Sequence, residues 1–319
     1  MDLSIVFKKK RLKGLLSAEV ATLAYMIFTA ALIAIHHAGL QDASALVMNR
    51  VWVFVAMLGV NVAYLIYPCR LGVWVRMILI FLTLIVWYPE TYDFSSQYPN
   101  LDHVFAGWDQ ALFGCQPALE FRQWLSGVVW SEMFNFGYYA YYYMMALTIL
   151  YYMLCRYERL DWAGYVFMGS FFIYYVVFDF LPVAGPQYYF QAIGTSGYEN
   201  GAFPQMGYFF KTHLEAMQQE VTGVFSGLVA GAQEIGERPT AAFPSSHVGM
   251  STVTMILAWK SGNRWLFWLM MPVYVLLCCA TVYIRAHYLV DSIAGLITAF
   301  LFFWLTSWSY KHVGRKHFE

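Results

Sequence analysis

The chain has 319 residues, of which 60% are hydrophobic and only 12% are charged, and its formal net charge is zero. Soluble domains carry about 25% charged residues, so the composition excludes an ordinary soluble protein and indicates an integral membrane protein. The balanced charge gives no reason to expect nucleic-acid binding. The five cysteines show no Cys-x-x-Cys spacing, and we predict apolar packing residues, with no disulfide, metal or other cofactor.

The sequence contains eight apolar runs close to the length of about 20 residues that a membrane-spanning helix needs. They are 17–36, 51–68, 72–90, 134–155, 162–181, 244–259, 265–283 and 288–310. The predicted fold is therefore all-α, a polytopic membrane helix bundle of about eight transmembrane helices. A basic run precedes the first helix, which we interpret as a signal anchor.

The predicted organisation has three parts. Residues 1–76 form two N-terminal helices behind a basic N-terminus, residues 77–310 form a six-helix core, and 311–319 form a tail. Fourteen of the nineteen Lys and Arg residues then fall on one side of the membrane and five on the other. Positive residues favour the cytoplasmic side, so both termini are predicted to be cytoplasmic.

Two long segments, 91–131 and 182–243, are predicted to be outer loops. In the second, apolar residues recur at steps of three and four between Phe210 and Leu228. This pattern predicts an amphipathic helix that contains His213 and lies on the membrane surface, either as a plain surface helix or as a lid over a lipid entrance. The tyrosines at 138–143 predict an aromatic belt at the interface.

A first polar stretch lies at the start of a predicted helix, where residues 285–291 read Arg-Ala-His-Tyr-Leu-Val-Asp. His287 and Asp291 are four residues apart and would share one helix face. The carboxylate would then fix the imidazole tautomer and leave the other ring nitrogen free to attack phosphorus. An interfacial His–Asp pair that only joins two helices is the alternative.

A second polar stretch, at 243–247, reads Phe-Pro-Ser-Ser-His. Pro244 suits the first turn of a helix, and the N–H groups of Ser245 and Ser246 would then form an anion site at its positive end. His247 would lie beside that site and could protonate a leaving oxygen. A simple helix cap is the alternative.

Both histidines are predicted at the outer membrane face, on consecutive helices. The set then offers a nucleophilic imidazole, a carboxylate that orients it, an acidic imidazole and a phosphate-binding helix start. Phosphoryl transfer depends mainly on positioning and on neutralising the phosphoryl oxygens. The residues therefore predict a phosphoryl-transfer site.

The two stretches together resemble the type-2 phosphatidic acid phosphatase superfamily. The sequence is most similar to the branch that holds aureobasidin-sensitive inositol phosphorylceramide synthases and sphingomyelin synthases. The resemblance covers about residues 77–310, with weaker matches at 185–189 (Gly-Pro-Gln-Tyr-Tyr) and at 109–114. It implies an acid role for His247, a nucleophilic role for His287 and an orienting role for Asp291, and it places Gln187 and Tyr188 in the substrate site.

The sequence departs from the phosphatase pattern in its positive charges. Residues 179–190 lack the Lys and the Arg-Pro of that pattern, and Thr281 stands where it has an Arg. An Arg-Pro pair does occur at Arg238-Pro239, outside the position of that pattern, and Arg285 on a continuous helix would point about 200° away from His287. Both arginines are assigned to phosphate binding on the condition that the chain folds back at Arg238 and that the helix starts after Arg285. A phosphodiester carries one charge and a phosphomonoester nearly two, so the sequence favours transfer of a phospho-headgroup between lipids.

The predicted partners are the bilayer, a phospholipid donor and a lipid alcohol acceptor. A lipid phosphatase that uses water as acceptor is the alternative, and a membrane transporter or scaffold without enzymatic activity is a second one. Transporters usually contain matching halves, which this sequence lacks.

Asp179, inside the fifth predicted helix, is assigned either to headgroup binding or to a hydrogen bond between helices.

Overall fold

The computed structural model describes residues 6–7, 14–194 and 201–313 of the chain. Within these ranges the regular secondary structure is helical and contains no β-strand, in agreement with the all-α prediction. The basic run at 8–13 and most of the predicted tail at 311–319 lie outside the described residues.

The helices are joined by short connections at one end of the bundle and by both short and long connections at the other. They are α1 (Ser17–His36), α2 (Ala43–Ile66), α3 (Arg70–Leu82), α4 (Leu84–Ser95), α5 (Asp102–Phe113), α6 (Pro117–Trp124), α7 (Val128–Cys155), α8 (Leu160–Phe180), α9 (Pro186–Ile193), α10 (Val224–Gly236), α11 (Ser246–Lys260), α12 (Arg264–Tyr283) and α13 (Leu289–Val313). Each of the eight predicted spans corresponds to a helix or, for 72–90, to the pair α3 and α4, which meet at Thr83.

Six stretches of the described chain are long and apolar enough to cross a membrane, so the protein is an integral membrane protein. They are α1, α2, the α3–α4 pair, α8 with the turn before it, α12 and α13. The tyrosine-rich α7 has 28 residues, whereas α11 has 15 and is only about 22 Å long at 1.5 Å per residue. The hydrocarbon core of a bilayer is about 30 Å thick, so α11 is a short helix that needs protein around it.

Helix α11 lies at the centre of the bundle. It packs against α7, α8, α12 and α13, and most of its side chains are buried. Helix α8 contacts α1 and α4 on its other side, which attaches the N-terminal helices to the rest of the molecule. Both predicted histidine stretches lie at the end of the bundle that carries residues 96–127 and 181–245, which we call the loop-rich end.

The predicted surface helix at 210–228 is wrong for most of its length. A short turn covers Phe209–Lys211, and the next helix begins only at Val224. Main-chain and side-chain bonds hold the segment between them in a non-helical path: the N–H of Met217 donates to the carbonyl of Gln187. The carboxylate of Glu132 accepts the N–H groups of Phe225 and Ser226, which fixes the start of α10.

His213 is correspondingly not in a helix. Its ring is exposed and stacks on Phe209 with the ring centroids 4.0 Å apart. The apolar periodicity reflects partial burial of an irregular segment, in which Phe210 is buried among side chains of the loop-rich end.

Candidate active site

His247 is held in the first turn of α11 by an arrangement that differs from the predicted one. The helix begins at Ser246 with Ser245 as its N-cap, so Pro244 precedes the helix. The Ser245 hydroxyl accepts the N–H of Val248 at 3.3 Å, and its own N–H donates to the carbonyl of Asp291 at 3.0 Å. The N–H of Ser245 is therefore committed to α13, and the predicted use of that group for phosphate is wrong.

The imidazole of His247 lies between two tyrosines of α7. It stacks on Tyr138 with the centroids 4.6 Å apart and lies tilted against Tyr141 at 4.7 Å. These tyrosines were assigned to an interfacial belt from the sequence, but both are buried in the protein. The stacking restricts the plane of the His247 ring.

His287 lies in the link between α12 and α13. Its Nδ1 is 2.8 Å from the carbonyl oxygen of Ala242, and its Nε2 is 3.4 Å from Nδ1 of His247. A carbonyl can only accept a hydrogen bond, so Nδ1 of His287 carries the proton and Nε2 presents its lone pair. The topology thus brings together two imidazoles that are 40 residues apart in sequence.

The predicted role of Asp291 in fixing the His287 tautomer is not supported by the geometry. Helix α13 starts at Leu289, after His287, so the two residues do not share a helix face. The carboxylate is 3.8 Å from Nδ1, beyond hydrogen-bonding distance, and accepts the N–H of Tyr288 at 2.9 Å. Asp291 shapes the turn that carries His287, whereas the carbonyl of Ala242 orients the ring.

Burial determines the charge of His287. It lowers the pKa of the imidazole to about 4, and the hydrogen bond to the Ala242 carbonyl offsets only part of that effect. At neutral pH the side chain is uncharged, which is the form in which Nε2 can act as a nucleophile.

Two buried aspartates of α5 hold the loops around the histidines. Asp102 accepts the N–H groups of Ala184 and Gly185, at 2.7 and 2.8 Å, and the hydroxyl of Tyr288 at 3.0 Å. Asp109 accepts two N–H groups at the start of α13, from residues 289 and 290. A carboxylate at a helix N-terminus is favoured by the helix dipole.

Main-chain hydrogen bonds join the same loops to one another. The N–H of Ala242 donates to Val183, and the N–H of Gln187 donates to Arg285, both at 3.0 Å. Gly185 has a φ of 96°, and a Cβ at that position would lie 2.7 Å from the carbonyl oxygen of Ala286. Only glycine fits this contact, so the loops meet at a position that excludes a side chain.

A cavity lies beside the two histidines and encloses about 290 Å³ of space, including the part that opens to solvent. It is lined by Tyr88, Tyr138, Ala184, Gln187, Tyr188, Glu237, Arg238, Thr240, Ala241, Ala242, His247, Ala286 and His287. Gln187, Tyr188 and Arg238 were predicted to contact substrate, and the structure places all three here. Arg238 is the one Lys or Arg among the described residues of the lining.

Several predicted substrate-binding residues do not line this cavity. Ser245 and Ser246 are buried in the α11 start, and Arg285 lies in the link between α12 and α13 with a φ of 65°. Asp179 is fully buried in α8, and neither of its carboxylate oxygens has a hydrogen-bond partner among the described residues. Asp179 thus fits neither of the two roles that its sequence position indicated.

Glu237 also lines the cavity, although the sequence did not predict it there. Its carboxylate accepts a hydrogen bond from the Gln187 amide at 2.7 Å and one from the Tyr138 hydroxyl at 3.2 Å. Burial raises the pKa of the Glu237 carboxyl, and the hydrogen bond from Gln187 acts in the opposite direction. The only sequence feature that could have indicated Glu237 is its position beside Arg238-Pro239, because a single glutamate in a predicted loop belongs to no motif or periodic pattern.

The described residues contain no group of three or more His, Cys, Asp or Glu side chains arranged to hold a metal ion. The model of the PAP2 superfamily matches residues 104–305, which is nearly two thirds of the chain and includes both histidines. No curated protein and no solved structure is significantly similar to the chain. The chain therefore belongs to the PAP2 superfamily, and it is a membrane enzyme of the lipid phosphatase and phosphotransferase type.

Proposed function

We propose that the protein transfers a phospho-headgroup from a phospholipid to a lipid alcohol, as an inositol phosphorylceramide synthase does, through a phosphohistidine at His287. The observation that carries the proposal is the pair of imidazoles, His287 buried and His247 half-buried, beside a cavity with a single arginine among its described lining residues. Nε2 of His287 has its lone pair available because Nδ1 donates to Ala242. Arg238 alone among the described lining residues supplies a permanent positive charge.

In the first step, Nε2 of His287 attacks the phosphorus of the donor phosphodiester. The bond between phosphorus and the diacylglycerol oxygen breaks, and that oxygen takes a proton from His247, which enters the step in its protonated form. The products are a neutral diacylglycerol and the headgroup phosphate bound to His287. Proton donation by a positioned side chain contributes about 10²- to 10⁴-fold to such a rate.

In the second step, the hydroxyl of the acceptor lipid attacks the same phosphorus. His247, now neutral, takes the hydroxyl proton, and the bond between phosphorus and Nε2 breaks. Both histidines return to their starting state, so the cycle needs no further reactant. Replacing the acceptor by water would make the protein a phosphatase with the same residues.

The two imidazoles must separate when substrate binds. Reacting atoms start about 3 to 3.5 Å apart, and the leaving oxygen must lie within a hydrogen bond of the acid, about 2.7 to 3.2 Å. The 3.4 Å between the two nitrogens leaves no room for a phosphoryl group. His247 is the ring that moves, because its contacts are stacking contacts, whereas His287 is hydrogen-bonded to the main chain.

The number of positive charges favours a diester as substrate. A phosphomonoester near neutral pH carries close to two negative charges and gains from several cations. Gln187 and Tyr188 offer neutral hydrogen bonds to the phosphoryl oxygens, and Arg238 offers one charge. A phosphodiester, with one negative charge, matches this set. From the distribution of Lys and Arg, we expect the reaction at the outer membrane face, with both termini cytoplasmic.

The test is lipid turnover by purified protein in vesicles that contain phosphatidylinositol as donor and ceramide as acceptor. Mass spectrometry should detect the headgroup-phosphate ester of ceramide and diacylglycerol in equal amounts. A second vesicle preparation contains phosphatidate in place of the donor. Release of inorganic phosphate from phosphatidate, without headgroup transfer in the first preparation, would show a phosphatase and contradict the proposal.

A further inference from the structure

The cavity carries two adjacent residues of opposite charge, Glu237 and Arg238. The guanidinium of Arg238 donates to the main-chain carbonyl of Glu237 at 3.0 Å, and the Glu237 side chain is held separately by Gln187 and Tyr138. Gln187 is itself fixed by main-chain bonds on both sides, to Arg285 and to Met217. The carboxylate therefore has a defined place in the cavity wall.

A carboxylate is unexpected in a site that binds phosphate. Among the described lining residues Arg238 is balanced by Glu237, so with His287 neutral the only net positive charge is the proton that His247 carries into the first step. One negative phosphoryl charge can lie near Arg238, whereas a second must approach the carboxylate. Unlike charges attract and like charges repel strongly in such a partly desolvated site.

We propose that Glu237 determines specificity by disfavouring phosphomonoesters, so that the site selects phosphodiester lipids. This inference rests on the proposed transfer function and names the substrate class of the same site. It assigns Glu237 a role in rejecting the wrong substrate rather than in the chemical steps. Specificity often depends on a repulsive contact of this kind.

The test compares how two small anions inhibit lipid turnover at pH 8. Inorganic phosphate carries two charges at that pH, and dimethyl phosphate carries one. Inhibition constants are measured for the wild type and for Glu237→Gln, which keeps the size of the side chain and removes its charge. We expect the substitution to improve inhibition by inorganic phosphate about tenfold relative to dimethyl phosphate.

Glu234→Gln is the matched control. Glu234 is exposed, lies on α10 three residues before Glu237 and does not line the cavity. The Glu234→Gln substitution removes the same charge from the same part of the surface. The ratio of inhibition constants in this variant should therefore stay within twofold of the wild-type ratio. An equal change in both variants, or no change in Glu237→Gln, overturns the proposal.

A third measurement covers the case in which Glu237→Gln does not fold. The wild-type protein alone should then be inhibited by dimethyl phosphate at a lower concentration than by inorganic phosphate, and the reverse order overturns the proposal. The result of this inhibition test can be distinguished from the result of the headgroup-transfer test. A wild type that only hydrolyses phosphatidate would contradict the transfer function, while the inhibition constants would still decide the role of Glu237.

Discussion

Buried carboxylates join distant segments at both ends of the bundle, but they bind different partners. At the end opposite the site, Asp161 accepts hydrogen bonds from the N–H and hydroxyl of Ser17 and from the hydroxyl of Tyr310. Glu19 forms a buried ion pair with Arg76. These contacts connect one helix to another, and none of the residues lines the cavity.

At the loop-rich end, Asp102 and Asp109 bind main-chain N–H groups of the loops next to His287. A main-chain contact fixes the path of a loop, and thereby the direction of a side chain that the loop carries. Carboxylates at one end therefore join helices of the bundle, whereas those at the other end position the loops that carry the proposed catalytic groups. Substitutions should therefore separate into effects on stability and effects on activity.

The largest effect is expected at His287 itself. His287→Ala removes the proposed nucleophile and should lower kcat by about 10⁴-fold or more, since nucleophile losses in enzymes reach that size. The measurement is headgroup transfer in vesicles, with folding checked by size-exclusion chromatography. His213→Ala is the matched control, because that imidazole is exposed and stacks only near its own turn. Transfer that persists in His287→Ala would exclude a phosphohistidine at this residue.

A smaller loss of activity is expected at Asp109. Asp109→Asn leaves one acceptor oxygen for the two N–H groups of α13 and weakens the placement of His287. We expect kcat to fall about 10- to 100-fold, because small displacements of catalytic groups cost that much. Asp161→Asn makes the same chemical change at the opposite end and should keep the wild-type kcat. Equal losses in the two variants would contradict the distinction between the two ends.

The pH dependence of the reaction tests the buried state of His287. Its pKa is lowered to about 4, so the proposed nucleophile stays neutral down to that pH. The part of kcat/KM that depends on it should fall only below about pH 4, rather than near 6.5. A profile of kcat/KM from about pH 3 to 8 measures this, and a half-maximal point near 6.5 would indicate an exposed imidazole.

The lowered pKa of His287 also makes the folded protein less stable at acidic pH. Between pH 6.5 and about 4 the unfolded chain binds a proton at His287 that the folded protein does not bind. The contribution of this group is therefore lost progressively as the pH falls through that window, by about 3 kcal/mol in total. Thermal unfolding of wild type and His287→Ala at pH 5 and pH 7 should show a smaller pH effect in the variant.

The smallest effect on activity is expected at Arg76. Arg76→Met leaves Glu19 buried without its partner, which typically costs about 3 to 5 kcal/mol of stability. The thermal midpoint should fall by several degrees, while the folded fraction keeps the wild-type kcat. The two quantities are measured on the same preparation. A loss of kcat at an unchanged midpoint would show that the opposite end communicates with the site.

The helices could be predicted from the sequence, and the paths of the loops could not. Apolar runs of membrane-spanning length gave α1, α8 and α13 to within a few residues. The amphipathic pattern at 210–228 failed, because Glu132 on α7 determines where α10 begins. A hydrogen bond donated to a carboxylate 93 positions away leaves no periodic signal in the local sequence.

The site could be predicted only in part, because some of the contacts that build it leave no pattern in the local sequence. The two histidine motifs are local patterns, and the helix connections bring them to one end of the bundle. Asp291 was predicted to lie close to His287, and it does. Its carboxylate accepts a hydrogen bond from the N–H of Tyr288, however, and not from the imidazole of His287. The group that does orient His287, the carbonyl of Ala242, is main chain and has no residue type that could reveal it.

The sequence by itself determined the membrane fold, the eight helical segments and the meeting of His247 with His287, because hydrophobic length and helix order suffice for these features. Only the tertiary structure decided which imidazole nitrogen is free, which residues line the cavity and that Glu237 opposes Arg238 there. These features depend on contacts between residues that are 40 to 186 positions apart in the sequence, such as His287 with His247 and Asp102 with Tyr288. Such contacts are set by packing in three dimensions, whereas hydrophobic length and motif spacing are properties of the chain.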